Sequence, residues 1–352
     1  MRLETLRLAI AGAATLALLG LASPAQADSI SPTSFSADLA VGGQVTVRKT
    51  VTVDSAPPTT GVLDVMFLFD NTGSMSAEIN AAKNRANDIL TSLSGFGSLA
   101  AGTGWYNDPN TAGLLTNLTT NLVQANTDIN NIPFFPGSGG DADEQGVQGI
   151  IEASGASWRA GSSRFVIAFG DAAFKGDNAN AIAALNAVNA TFIGVGFTGG
   201  GSDFFSDANP IAAGTGGTTH AATATGDSIA AAIIAGIGAS FDEYTTVTVS
   251  DLLGGLPLIG LTVACVSADT GACVGPDAVG AYDRSAPRSF EFDVTFSRLA
   301  DGDAAFPTFA LVDGAIVATE SDRFSVPEPA TLAILGLGLI GVAMLRRRRA
   351  VV

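Results

Sequence analysis

Histidine is almost absent from this chain. His220 is the only one, and cysteine occurs twice, at Cys265 and Cys273. A zinc site needs more imidazole or thiolate than that, so zinc chemistry is excluded. A Ser-His-Asp hydrolase would have to rest on His220, and no signature surrounds it. The chain also lacks a Gly-x-Ser-x-Gly elbow, a His-Glu-x-x-His pair and a phosphate loop ending in Gly-Lys-Ser/Thr. Basic residues are scarce: 17 Lys and Arg stand against 33 Asp and Glu, for a net charge of −16. So acidic a surface repels phosphate backbones, which excludes nucleic acid as a partner, and it suits divalent cations. A pair of carboxylates is the one enzymatic route that composition leaves open. The expectation is a protein that is not an enzyme.

Both ends read as addresses rather than fold. Residues 1–27 carry Arg2 and Arg7, an apolar run, and then Ala25-Gln26-Ala27, the three parts of a secretory signal with cleavage after Ala27. Near the other end, Ala330 to Leu345 is an uncharged run of 16 residues, and Arg346 to Arg349 follow at once. Such a run is slightly short of the ~20 residues that span a bilayer comfortably, with positive charge on the cytoplasmic side. Pro327-Glu328-Pro329 before an apolar segment and a basic cluster resembles the PEP-CTERM sorting signal of bacterial exosortase substrates. That resemblance covers residues 326–349. It implies export to the cell surface or extracellular matrix, processing by an exosortase, and anchorage, at least transient, through a membrane helix at 330–345. A plain one-pass anchor is the alternative. Without the two end segments, 11 basic and 31 acidic residues remain, about −20 for the exported part. In an exported protein the two cysteines are expected to form one local disulfide closing "VACVSADTGACVG".

Between the ends, two hydrophobic periods alternate. "VLDVMFLF" (62–69), "RFVIAF" (164–169) and "TFIGVGF" (191–197) are apolar runs of the kind that a strand buried on both faces requires. Helical stripes separate them: Ile79, Ala82, Ala86, Ile89, Leu90 and Leu93 in one, Ile182, Leu185 and Val188 in another. A last stripe carries Ile229, Ile233 and Ile237, with Asp227 as the expected N-cap. Alternating strands and helices predict an α/β fold, a doubly wound, mostly parallel sheet covered on both faces, over residues 61–238. The flanks keep period two instead. "VTVRKTVTV" (45–53) alternates except that Lys49 takes an apolar slot, and "SFEFDVTF" places Phe290, Phe292, Val294 and Phe296 on one face. Asp313-Gly314 between apolar runs signals a hairpin. Residues 28–58 and 241–325 are therefore expected to form one discontinuous β-sandwich with the α/β part inserted; two separate β units are the alternative.

Ligands of open parallel sheets sit beyond the carboxyl ends of the strands. Asp70 follows the first buried strand directly, and the spacing Asp70-x-Thr72-x-Ser74 lets one tight turn aim three oxygens at a point. Asp171 follows "FVIAFG" on the same rim. The Gly-rich loop "PGSGGDADEQGVQGI" delivers Asp141 before a helix with Val147, Ile150 and Ile151 on its apolar face. Carboxylates and hydroxyls from separate loops are the hard oxygen donors that Mg²⁺ accepts while keeping several waters.

"DNTGSM" after an apolar strand resembles the metal-ion-dependent adhesion site of von Willebrand factor type A (integrin I-like) domains. "GTGWYNDP", "GLLTNLTTNLVQANTDINNI", "SGGDADEQ", "FGDAAFKGD" and "IAAGTGG" fall in the family's order over residues 61–238. The resemblance implies that Asp70, Thr72 and Ser74 are the first-loop metal ligands, with Thr72 where many members have Ser. It puts Asp141 at the second loop and Asp171 at the third. The implied cofactor is a divalent cation, Mg²⁺ ahead of Mn²⁺ or Ca²⁺, whose open position takes a carboxylate from a protein or extracellular-matrix partner. A von Willebrand A domain inserted in a sandwich also looks like the integrin β hybrid arrangement.

Each residue has a plainer reading. Asp141 and Glu144 fit a capping box, Ser74 and Ser76 could cap the first helix, and "DNTGS" could be only a polar turn. Asp108 reads as a turn residue before Pro109, His220 as surface decoration, and Trp105 and Trp158 as packing. The functional expectation is a cell-surface or secreted, metal-dependent adhesion protein. The alternative is a structural envelope or matrix component in which the α/β domain is a spacer.

Overall fold

A computed structural model of the chain describes residues 27–108, 111–135, 142–197, 203–253 and 255–327. The signal segment before Ala27, Asp141, Glu328, Pro329 and the expected span at 330–345 lie outside the described residues. Among the described residues no helix is long and apolar enough to cross a membrane.

The chain opens with strands β1 (Ser29–Ser31), β2 (Ser34–Asp38) and β3 (Gln44–Val53). An α/β stretch follows: β4 (Gly61–Asp70), α1 (Ser76–Leu93), β5 (Gly97–Asn107), β6 (Thr111–Thr119), α2 (Leu122–Asn130) and α3 (Gly146–Ser154). It continues through β7 (Ser163–Gly170), α4 (Asn178–Ala187), β8 (Ala190–Gly196), α5 (Phe205–Thr215), β9 (Thr218–Ala221) and α6 (Gly226–Ala239). Seven more strands complete the chain: β10 (Glu243–Ser250), β11 (Ile259–Ser267), β12 (Ala272–Val274), β13 (Asp277–Asp283), β14 (Arg288–Arg298), β15 (Ala304–Val312) and β16 (Ala315–Ser325).

The α/β stretch forms one six-stranded sheet in the order β6-β5-β4-β7-β8-β9, parallel throughout except for β6. Strand β4 lies between β5 and β7 and is covered on both faces, which is why its sequence shows no alternation. One face meets α1 and α6: Val65, Phe67 and Phe69 pack with Ile79, Ala86, Leu90, Ile229, Ile233 and Ile237. The other meets α3, α4 and α5 through Met66, Leu68, Val166 and Phe192. The predicted stripe of α1 is the buried set of that helix. The cap of α6 is corrected: Thr225 is the N-cap and accepts from the Ser228 amide, while Asp227 sits in the first turn and pairs with Arg85. His220 is not surface decoration either. It is half-buried on β9, with Nε2 2.9 Å from the Thr218 hydroxyl.

The remaining strands form two sheets, β1-β3-β14-β11 and β12-β13-β10-β15-β16-β2, which face each other across one apolar core. Phe290, Phe292, Val294 and Phe296 of β14 supply its inner surface from one side, and Val247, Val249, Phe306 and Phe324 from the other. Strands from both sides of the α/β stretch share each sheet, since β3 pairs β14 and β2 pairs β16. The β15–β16 hairpin turns at Asp313 and Gly314, with φ of +46° and +82°, as a two-residue type I′ turn requires. Cys265 and Cys273 are joined in a disulfide between β11 and β12.

Arg284 fastens the two places where the chain passes between the layers. Its guanidinium pairs with the buried Asp28 carboxylate and donates to the carbonyls of Asp54 and Ala56 before β4, and of Phe241 after α6. Removing one partner of such a buried pair strands the other charge. Arg284→Met is therefore expected to lower the unfolding free energy by about 3–5 kcal/mol, read as a fall in the urea midpoint.

Candidate metal centre

The carboxyl ends of β4 and β7 lie side by side, because the two strands pair in parallel up to Phe69 and Phe169. Asp70 is the last residue of β4, and Asp171 follows β7. After Asp70 the chain makes a tight turn into a short 3₁₀ segment, Gly73–Met75, and then α1. The turn is built by Asp70 itself. Its Oδ1 accepts the Thr72 amide at 3.0 Å and the Thr72 hydroxyl at 2.7 Å. The Thr72 and Ser74 hydroxyls are 3.2 Å apart, and Ser74 donates to Asp171 Oδ1 at 3.2 Å. Four of the five sequence-expected residues thus form one continuous chain of oxygens across the rim, running from buried Asp70 through Thr72 and exposed Ser74 to Asp171.

Neighbouring segments hold this turn in place. The Asn71 amide donates to the Tyr106 carbonyl on β5, its side chain donates to the Pro133 carbonyl, and its own carbonyl accepts the Phe135 amide. On the other side, Asp207 of α5 accepts from the Phe174 amide and the Asn178 side chain, fixing the loop after Asp171. The Tyr106 hydroxyl donates to the Phe169 carbonyl. Gly170 is required at that point, since a Cβ there would meet the Tyr106 hydroxyl at 2.5 Å.

Glu144 joins the site and was missed as a site residue, having been read only as half of a capping box. Helix α3 starts at Gly146 with Gln145 as its N-cap, so Glu144 lies outside the helix and caps nothing. Instead its backbone pairs with the third loop: its amide donates to the Ala173 carbonyl and its carbonyl accepts the Lys175 amide. The "DADE" run in a Gly-rich loop was the signal available for it. Asp108, read as a turn residue, is buried and paired with Lys175 at 2.5 Å. Neither Ser74 nor Ser76 caps a helix with its side chain.

The electrostatics are those of carboxylates crowded together with too little positive charge. Burial pushes the Asp70 carboxyl up to about 7, reinforced by Asp171 and opposed by the Thr72 hydrogen bonds. Burial also raises Glu144, to about 8, with the charges of Asp70 and Asp108 adding to it and Lys175 opposing. Asp171 is raised by burial, against the Ser74 hydrogen bond. Asp70 Oδ2 and Glu144 Oε2 are buried and accept no hydrogen bond among the described residues. With the carboxylates ionised, two hydroxyl protons face three contacts in the Asp70–Thr72–Ser74–Asp171 chain, so lone pairs meet with no proton between them.

These features fit a hard divalent cation, for which hydroxyl and carboxylate oxygens are the natural donors. Among the described residues no three of His, Cys, Asp and Glu stand close enough to cage an ion by themselves. The oxygens available to such an ion are the hydroxyls of Thr72 and Ser74, backed by the carboxylates of Asp70 and Asp171.

Residues 64–200 match the family described as "von Willebrand factor A domain", and residues 325–349 match the PEP-CTERM protein-sorting motif. The six-stranded sheet with its helices has a von Willebrand factor A-like fold. The PEP-CTERM motif implies export, a membrane-associated C-terminal sorting signal and processing by an exosortase. Solved structures with similarity to this chain include von Willebrand factor type A from Catenulispora acidiphila, at 14% identity and TM-score 0.42, covering 88% of this chain and 76% of that one. The conserved hypothetical protein BatB from Bacteroides thetaiotaomicron has 14% identity and TM-score 0.41, covering 51% and 98%. An aerotolerance-related membrane protein from Bacteroides fragilis has 14% identity and TM-score 0.40, covering 50% and 98%. The curated proteins contain no match.

The raised Asp70 carboxyl has a definite sign in stability. Its ordinary value is 3.8 and its folded value about 7, so the cation-free folded state holds the proton more tightly than the unfolded chain. That stabilisation is complete below about pH 4 and is lost as pH rises through about 7. Asp70→Asn is expected to stabilise the chelator-treated protein at pH 8, by on the order of a few kcal/mol. The same variant is expected to lose any rise in melting temperature on adding millimolar Mg²⁺ or Mn²⁺. A variant that melts below wild type in chelator at pH 8 contradicts an uncompensated charge at Asp70.

Proposed function

We propose that this chain is an exported, cell-surface or matrix protein that binds a partner through a divalent cation held at the rim of the α/β sheet. The observation that carries this reading is the buried Oδ2 of Asp70, without a partner among the described residues, beside a string of hydroxyls. In this reading Thr72 and Ser74 are direct ligands. Asp70 and Asp171 orient those hydroxyls and balance the charge, and Glu144 adds to the acidic wall; Asp141, outside the described residues, is expected from the sequence to join them. A bound Mg²⁺, or Mn²⁺ or Ca²⁺ in its place, supplies an open coordination position for a carboxylate of a protein or matrix ligand.

The chain's own contribution is to position the donors. Ser74 is exposed while Asp70 is closed off, so Ser74 is the accessible end of the donor string. Phe134 and Phe135 are both exposed, 39% and 45%, on the segment that Asn71 pins to the metal loop. Aromatic surface beside a charged contact is common at protein interfaces and supports a protein partner over a small anion.

Titration calorimetry with Mg²⁺, Mn²⁺ and Ca²⁺ on the chelator-stripped protein is expected to give one saturable site. Ser74→Ala and Thr72→Val are expected to weaken it at least about tenfold, a loss that even removal of an outer-shell partner produces. Absence of saturable binding by all three ions would remove the adhesion reading and leave the α/β layer as a spacer.

A further inference from the structure

Lys49 occupies an apolar slot in β3, and its side chain is fully closed off from solvent. It faces the β16 strand of the opposite sheet, where Glu320 and Asp322 are equally closed off. Nζ is in direct contact with Glu320 Oε2 and lies 3.5 Å from Asp322 Oδ1. The surroundings are apolar and aromatic. The Phe296 ring centroid is 5.2 Å from Nζ, and Phe35, Phe306 and Phe324 stack around Phe296. Asp322 is held from its other oxygen by the Thr308 hydroxyl, whereas Glu320 Oε1 is buried and accepts nothing.

One amine against two carboxyls cannot be neutral as a fully ionised triad. In an apolar core, electroneutrality requires one carboxyl to carry a proton. Asp322 already accepts the Thr308 hydroxyl, so the proton falls to Glu320, whose Oε1 accepts nothing among the described residues; burial raises that carboxyl, with Asp322 adding and Lys49 opposing. A carboxylic acid in contact with an amine, with a second carboxylate at hand and all three closed off from solvent, is set for condensation.

We propose that Lys49 and Glu320 form an intramolecular amide bond, with Asp322 as the proton acceptor. Asp322 takes one proton from the Lys49 ammonium, freeing its lone pair. Nζ attacks Cδ of the protonated Glu320 carboxyl, a C–N bond forms and the C–OH bond breaks. The hydroxyl leaves with a second nitrogen proton as water, the third stays on the amide, and Asp322 keeps the first. No oxidant, reductant or activated donor is needed, and every ionised group in the pocket ends neutral.

The position gives the bond a mechanical consequence. Lys49 precedes the α/β stretch and Glu320 follows it, close to the C-terminal sorting motif. A covalent link between β3 and β16 carries load from that end directly to the strand that leads into β4, bypassing β10 to β15. A protein pulled between a bound partner and a surface anchor then cannot extend through those strands.

Mass spectrometry of the purified full chain, reduced and digested with trypsin, tests this. The expected product is a branched peptide in which Lys49–Lys83 is joined to residues 299–323, lighter than their sum by one water, with no cleavage after Lys49. Fragment ions are expected to place the branch on Glu320. Asp322→Asn is expected to leave these peptides linear, dropping the cross-linked fraction from near complete to near zero in a protein that still gives a cooperative melt. Linear peptides with cleavage after Lys49 in the wild-type digest overturn the proposal without any variant. A branch on Asp322 overturns the assignment of roles.

Discussion

The buried carboxylate of Asp70 is the constraint on which the rim depends. It ends the central strand of the α/β sheet with no solvent exposure, and one of its oxygens has no partner among the described residues. Its other oxygen shapes the turn that brings Thr72 and Ser74 into line. Burying a charge this way is costly unless an opposite charge meets it. Lys175 is already engaged with Asp108, so the acidic cluster has more charge than its own lysine can balance. A divalent cation at Thr72 and Ser74 would remove that imbalance, and the shape of the turn makes sense with it.

The other layers turn this site into something that can be displayed. The two sheets made by β1 to β3 and β10 to β16 share one core, and Arg284 pins both crossings into the α/β layer. The rim carrying Asp70, Ser74 and Asp171 lies at the carboxyl ends of β4 and β7. The crossings approach the opposite, amino end of β4. The rim and the crossings into the sandwich therefore lie at opposite ends of β4. Two sets of buried ionic groups, Asp28–Arg284 and Lys49 with Glu320 and Asp322, lie on the sandwich side.

Much of this was legible in the sequence where one period dominates. The unbroken apolar run before Asp70 could only be a strand covered on both faces, and the spacing of Ile79 to Leu93 matched the buried face of α1 residue for residue. Alternation in 290–296 gave the inner face of β14. What escaped was set by contacts between distant segments. Glu144 looked like a helix cap because its real partner, the loop after Asp171, lies about thirty residues on, and local patterns carry no such pairing. Thr225 was passed over for Asp227 as the cap because both types suit the position, and only the Ser228 amide decides between them. Lys49 broke the alternation of β3 visibly, yet its reason, two acids on β16, could not be read from either strand alone.

The claim that the rim holds a cation is tested most directly by locating one. Crystals grown with Mn²⁺ and measured near the manganese absorption edge would show the ion as an anomalous difference peak. The expected peak lies at bonding distance from the hydroxyls of Thr72 and Ser74, with Asp70 and Asp171 reaching it directly or through water. A fully occupied peak elsewhere, or none at saturating Mn²⁺ with the Asp70–Ser74 hydroxyl chain intact, would contradict it.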